Sequence, residues 1–192
     1  MQLDRSVYDP DCRDCSRLSA RAKLLVVGLA PGMHGANASG RPFTGDWCSD
    51  LLYGTLHAHG FAKNPRSLSR DDDQALIDCR LTNAVKCLPP QNKPTPAETK
   101  TCAKYLSQEI KSVQPQVIVC LGAVAHDAVL SCLAGNERLI KRSAYRFAHA
   151  AVHEVAGLRL IDSYHPSRYN TNTGRLTAEM FSAVFAIVRQ YV

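Results

Sequence analysis

Four short apolar runs constrain the fold of this chain more than any other feature. Lys23 to Leu29, Cys79 to Val85, Gln116 to Leu121 and Leu158 to Ser163 are continuously apolar or β-rich rather than alternating, as strands covered on both faces require. Patterns of helical spacing separate them, and strands that alternate with helices build parallel sheets. We therefore expect an α/β fold: a three-layer α/β/α sandwich around a central four-stranded parallel sheet. With 192 residues at 45% hydrophobic content and no linker-like composition shift, we expect one domain over residues 1–192. The helix ends are readable. Thr95-Pro96-Ala97-Glu98 is a capping box that opens a helix to about Val113, before Pro115. Thr177 can cap the last helix, with Leu176 and Phe181 spaced as a hydrophobic staple. Further helices are expected from Trp47 to His59, ending at Gly60, and from about Ala123 to Leu133.

The first run leads directly into GLAPGMHGANASGRPFTGD, Gly28 to Asp46. So many glycines and so few core-forming side chains mark a binding loop, where backbone can approach a ligand closely. Neither G-x-G-x-x-G nor G-x-x-x-x-G-K-[ST] occurs in it at the required spacing, so neither standard phosphate cradle is present. Ligands of open α/β sheets bind beyond the carboxyl ends of the strands. At those ends stand the glycine-rich loop, TNAVKC, LGAVAH and SYHPSRYNTNTGRLT. They can bring Asp46, Asn83 and His165 together, with Phe43 beside them. Each residue has an ordinary reading as well: Asp46 as a helix cap, Asn83 as a partner of local backbone, His165 as a turn residue beside Pro166, and Phe43 as core.

The net charge of +6 and a pI near 9.0 favour a polyanionic partner. Part of that charge sits in Arg138, Lys141, Arg142 and Arg146, a solvated face or a phosphate-tracking patch. No apolar run reaches the ~18 residues of a membrane span and the N-terminus carries no apolar signal segment, so a cytoplasmic location is expected. Without a secretion signal, eight cysteines read as thiols rather than a disulfide framework. Cys48, Cys79, Cys120 and Cys132 lie in apolar or periodic segments. Cys12 and Cys15 form a C-x-x-C in a polar segment, and Cys87 and Cys102 bracket a proline-rich loop. Four thiolates from two non-core segments can make a tetrahedral metal site, and spacing does not separate zinc from an iron–sulfur cluster.

GLAPGMHGANASGRPFTGD and HPSRYNTNTGRLT, with TNAVKC between them and cysteines at 12, 15, 87 and 102, together resemble the type 5 (class b) uracil-DNA glycosylases, an iron–sulfur branch of that superfamily. The likeness runs from Cys12 to the final helix. It implies a [4Fe–4S] cluster on Cys12, Cys15, Cys87 and Cys102, ahead of zinc. It also implies a monofunctional enzyme that flips uracil out of DNA and hydrolyses its N-glycosidic bond, leaving an abasic site, with tolerance for bases such as hypoxanthine. On this likeness Phe43 stacks on the extruded base, and Asn83 reads N3–H and O4. His165 stabilises negative charge on O2, while Asp46 stabilises a cationic sugar and orients the attacking water. Ala30, Pro31 and Gly32 line the base pocket, and Ser167, Arg168 and Tyr169 belong to the motif expected to fill the gap left by the flipped base.

The chain departs from the family's pattern at several positions. Leu29 and Ala30 stand where a polar residue is often found, which leaves water handling to Asp46. Ala38 stands where arginine is frequent, and Arg168-Tyr169 replaces a commoner proline-leucine pair. His149, in RFAHAAVHEV, lies in another family-like stretch. The implied partner is DNA containing uracil or other deaminated bases, met by a monomer at the nucleoid. The other readings are a non-catalytic iron–sulfur protein that binds nucleic acid or senses damage, and a glycosylase that prefers hypoxanthine or another lesion.

Overall fold

The computed structural model describes residues 22–33, 35–134 and 141–192. Strand β1 is Leu24–Gly28, β2 Cys79–Asn83, β3 Val117–Leu121, β4 Val152–Val155 and β5 Leu158–Ser163. They form one sheet in the order β2-β1-β3-β5-β4. β1 runs parallel to β2 and β3, and β3 parallel to β5, which are the four expected parallel strands.

The fifth strand corrects that expectation. β4 pairs antiparallel with β5 at the sheet edge, so the sheet is mixed. Its sequence, VHEV, buries only Val155 and lacks the continuous apolar run of a covered strand. The β4–β5 turn, Ala156-Gly157, has both residues at positive φ (50° and 77°), the conformation that matches hairpin twist. Alanine is an uncommon choice there, so the hairpin leaves little mark on the sequence.

Side chains alternate across the sheet and divide the core into two layers. Leu24 and Val26 point to one face, where they join α2 (Trp47–Ala58) and α6 (Ala178–Val188) through Leu52, Leu56, Phe181 and Phe185. Leu25 and Val27 point to the other, against α3 (Pro96–Val113) and α4 (Ala123–Ala134) through Leu106, Ile110, Ala125 and Val129. The capping box is formed in both directions: Glu98 N donates to Thr95 Oγ1 (3.2 Å) and Thr95 N to Glu98 Oε2 (2.7 Å). Thr177 caps α6 through Met180 N, with Leu176 and Phe181 both buried. Two short helices, α1 (Ala36–Ser39) and α5 (Arg168–Asn172), arise in segments without an apolar stripe. No described helix is long and apolar enough to cross a membrane.

Two ionic groups are buried within this frame. Glu109 on α3 receives hydrogen bonds from Arg80, Lys86 and Thr82. Asp162 on β5 accepts from His126 Nδ1 at 2.7 Å, and its other oxygen lies 3.3 Å from His153 Nε2. His126 Nε2 faces the Tyr145 carbonyl at 2.9 Å. Both ring nitrogens of His126 therefore point at acceptors, which an imidazolium satisfies. Burial by itself would lower the His126 pKa; the Asp162 hydrogen bond and charge outweigh it and raise it. The ion pair anchors the segment of Tyr145 and Ala148 to the sheet, and His149 in that segment stacks on Tyr164 with ring centroids 5.0 Å apart.

Removing one member of a buried pair strands the other. His126→Leu should lower unfolding free energy by about 3 kcal/mol, and Thr95→Ala by about 1 kcal/mol, in denaturant melts at neutral pH. The His126 contribution is fully present below the unfolded-state pKa near 6.5 and declines as pH rises through the raised native value.

Candidate active site

β1 and β2 end side by side, with Gly28 registered opposite Asn83. A β-carbon at Gly28 would fall 2.5 Å from Phe43 Cζ and 2.6 Å from Asn83 Oδ1, closer than real Cβ contacts come. Glycine is required here because two side chains close over the end of the strand. Phe43 itself has φ of 55°, an uncommon conformation for an aromatic residue. Its neighbours are held firmly. Tyr53 Oη donates to the Pro42 carbonyl, Thr44 Oγ1 lies 2.8 Å from Ser67 Oγ, and Arg41 bonds Ser67, the Arg70 carbonyl and Asp72.

Asp46 performs the cap anticipated for it, and the cap engages one of its two oxygens. Its Oδ1 accepts from Ser49 N at 3.1 Å at the start of α2. Its Oδ2 points elsewhere, against Gly32 and Gly35, where an added β-carbon would lie 3.2 and 2.4 Å away. The cap uses one oxygen and leaves the other for the pocket. Burial raises the Asp46 pKa, partly offset by the backbone N–H groups of Ser49 and Cys48. A desolvated carboxylate is a stronger proton acceptor than an exposed one.

His165 follows β5, and Asn170 Nδ2 donates to its carbonyl at 2.8 Å. Burial depresses its pKa to about 4, so the ring is neutral near pH 7. Cys48 Sγ lies 3.9 Å from His165 Nδ1. Burial, with the nearby Asp46 charge, pushes the Cys48 thiol up to about 12, so the thiol keeps its proton.

These groups surround a cavity of about 630 Å³. Of the residues anticipated from sequence, Ala30, Gly32, Phe43, Asp46, Asn83, His165 and Ser167 line it. Pro31, Arg168 and Tyr169 stand outside its wall. Pro31 is half-buried in the same loop, while Arg168 and Tyr169 are exposed at the start of α5. Trp47, Cys48, Met33 and Asn92 also line the cavity; sequence reasoning placed Trp47 only as a helix start and Cys48 only as a core thiol. Asn83 is 7% exposed and its Oδ1 has no hydrogen-bond partner among the described residues. An orphaned buried acceptor on a pocket wall calls for a donor, from a ligand or an ordered water.

Lys86, the amine nearest these strand ends in sequence, is engaged elsewhere. It donates to Glu109 Oε2 at 2.8 Å and to Thr82 Oγ1 at 2.6 Å. The same contact ties the segment ending at Cys87 to α3, which bears Cys102. Cys87 is exposed and Cys102 half-buried, and neither is in a disulfide among the described residues. Cys12, Cys15 and Arg138 lie outside the described residues. His126, His153 and Asp162 have ligand atoms within 4.8 Å of one another, but the hydrogen bonds above already occupy the Asp162 carboxylate and both His126 nitrogens.

Comparison with known proteins places the chain among its relatives. A family model described as the uracil DNA glycosylase superfamily matches residues 15–189. A type-5 uracil-DNA glycosylase of Thermus thermophilus is 46% identical over 165 residues, covering 85% of this chain and 73% of that protein. One of Pyrobaculum aerophilum is 42% identical over 163 residues, 85% of this chain and 69% of that protein. A type-4 uracil-DNA glycosylase of Archaeoglobus fulgidus is 30% identical over 152 residues, covering 77% and 66%.

An NMR titration of the His165 ring should be flat from pH 8 to about 5 and show protonation only near pH 4. Because the native pKa lies below the unfolded one, the unfolded state binds the extra proton first. This residue's contribution to stability is complete above pH ~6.5 and is lost as pH falls toward 4.

Proposed function

Because this chain belongs to the uracil DNA glycosylase superfamily, we propose that its pocket receives a uracil swung out of DNA and that the lining side chains share the hydrolysis of the N-glycosidic bond. The reaction is base removal in DNA repair and leaves an abasic site. The observation that carries this reading is the unpartnered Asn83 Oδ1. A carboxamide offers an acceptor and two donors: Oδ1 accepts from N3–H of uracil while the amide N–H donates to O4. Cytosine presents the opposite pattern at those atoms and is refused. Hypoxanthine presents the same donor beside the same kind of carbonyl, so this amide reads it too.

Phe43, held over Gly28, gives the base an aromatic face. As the bond between C1′ and N1 breaks, its electron pair leaves with uracil and charge spreads to O2. His165, neutral, stabilises that charge by donating a proton in a hydrogen bond, and a preorganised donor needs no reorganisation during reaction. The protonated Cys48 thiol beside Nδ1 favours the tautomer with hydrogen on Nε2. Asp46 Oδ2 stabilises the cationic sugar, orients a water toward C1′ and takes its proton as the new C–O bond forms. Leu29 and Ala30 offer no side-chain polar group for that task, and Asp46 is the one carboxylate among the lining residues.

The enzyme is monofunctional on this reading, since no lysine lines the pocket and Lys86 is committed to Glu109. The departure of Arg168 and Tyr169 from the pocket wall suits a wedge acting on the duplex rather than on the base. DNA is the partner, met by a monomer at the nucleoid. A non-catalytic binder is not favoured, because the relatives matched over most of their length are glycosylases by name.

We further infer a [4Fe–4S] cluster held by Cys12, Cys15, Cys87 and Cys102. The chemistry of the donor set supports it: burial raises the pKa of Cys48, Cys79, Cys120 and Cys132, which disfavours the thiolate a metal needs, whereas Cys87 and Cys102 are open to solvent in whole or part. The cluster would supply a cross-link between the N-terminal segment, the β2–α3 connection at Cys87 and α3 at Cys102. Cys87→Ala should lose bound iron and visible absorbance together.

Excision is tested on oligonucleotides carrying one uracil, hypoxanthine, 5-hydroxymethyluracil or thymine, with alkaline cleavage of the product. Uracil release is expected; no release from any substrate by iron-replete protein would refute the reading. Asp46→Asn should lower the single-turnover rate roughly 10²–10⁴-fold with little change in melting, since asparagine also caps helices. In the parent enzyme kcat/KM should rise with pH through an apparent pKa above the ordinary aspartate value of about 3.9.

A further inference from the structure

The opening turn of α2 carries a residue that the reaction above does not use. Trp47 follows Asp46, lines the cavity and is 53% exposed. Single exposed apolar residues are common on protein surfaces; what sets this one apart is how it is held. Its Nε1–H donates to Thr171 Oγ1 at 3.0 Å, and the Arg168 guanidinium carbon lies 5.1 Å from the ring centroid. Thr171 and Arg168 both belong to α5. The indole thus bridges the helix that begins after Asp46 and the helix that begins after Ser167, across the entrance to the pocket. The hydrogen bond, itself at the surface, engages the ring's one polar atom, and the rest of the half-exposed indole is carbon. Tyr169, 72% exposed, stands one residue beyond Arg168.

A base that leaves its stack uncovers the face of its neighbour, and that unstacking has a free-energy cost. An aromatic ring fixed at the pocket entrance can cover the bared face, and base–aromatic stacking with an arginine cation nearby tolerates any base. We propose that Trp47 is a DNA-contacting residue that stacks on the nucleotide adjoining the excised base, with Thr171 and Arg168 holding the indole in position. The proposal rests on the reading of the pocket as a uracil site.

Trp47 is the chain's one tryptophan, so its fluorescence reports this contact directly. Titration with a single-stranded oligonucleotide containing a tetrahydrofuran abasic analogue should quench the emission, following the same binding curve as the anisotropy of a dye on that strand. Trp47→Ala should weaken binding of the analogue roughly tenfold or more. Trp47→Phe, which keeps a ring, should recover most of the loss, and Thr171→Val should give a smaller weakening with a fluorescent reporter still in place. Unchanged emission at saturation, or an alanine variant that binds as tightly as the parent, overturns the proposal. Uracil excision by the parent protein is measured alongside: quenching without excision would remove the uracil assignment and leave the stacking contact standing.

Discussion

The close approach of Phe43 and Asn83 over Gly28 is the contact on which the site depends. Parallel pairing of β1 with β2 sets Gly28 beside Asn83, and the absence of a side chain at Gly28 lets the carboxamide and the Phe43 ring share its space. The covered sheet supplies rigidity beneath them, because Val26 and Val27 pack into opposite layers of core. Phe43 keeps an unfavourable φ because Arg41, Thr44 and Tyr53 bind the segment on either side of it. On the proposed reading, base recognition rests on a strand end and a loop segment held by its own hydrogen bonds.

Around that contact the enclosure shifts two titratable groups in opposite directions, as their proposed tasks require. Burial favours the uncharged form of each: it lowers the pKa of His165 and raises that of Asp46. The histidine becomes a neutral donor suited to a leaving group that gains negative charge. The aspartate becomes a better proton acceptor, and its helix cap fixes the position of the free oxygen. Capping and the proposed catalytic role are compatible in one carboxylate because the cap engages Oδ1 and Oδ2 faces Gly32 and Gly35.

Much of this was legible in the sequence, for identifiable reasons. The four parallel strands announce themselves because double-sided burial demands unbroken apolar runs, and Thr95 and Thr177 cap as their local sequences specify. Asp46, Asn83 and His165 converge because parallel strands bring their carboxyl ends to one edge. β4 escaped notice because VHEV is an edge strand with most of its side chains outside the core. The proposed dual use of Asp46 depends on which way each oxygen points, and sequence carries no record of that. Trp47 and Cys48 read as ordinary helix residues until α5, more than a hundred residues away, is seen to fold against the same entrance.

The most direct test of the account is uracil excision by Gly28→Ala, measured under single turnover on protein whose thermal melt shows it to be folded. The added methyl has no room unless Phe43 or Asn83 moves, so excision should fall at least about 100-fold, the order lost when a preorganised transition-state contact is removed. A folded Gly28→Ala protein that excises uracil within a few-fold of the parent rate would contradict the claim that these two side chains, closed over a bare backbone, form the base-reading site.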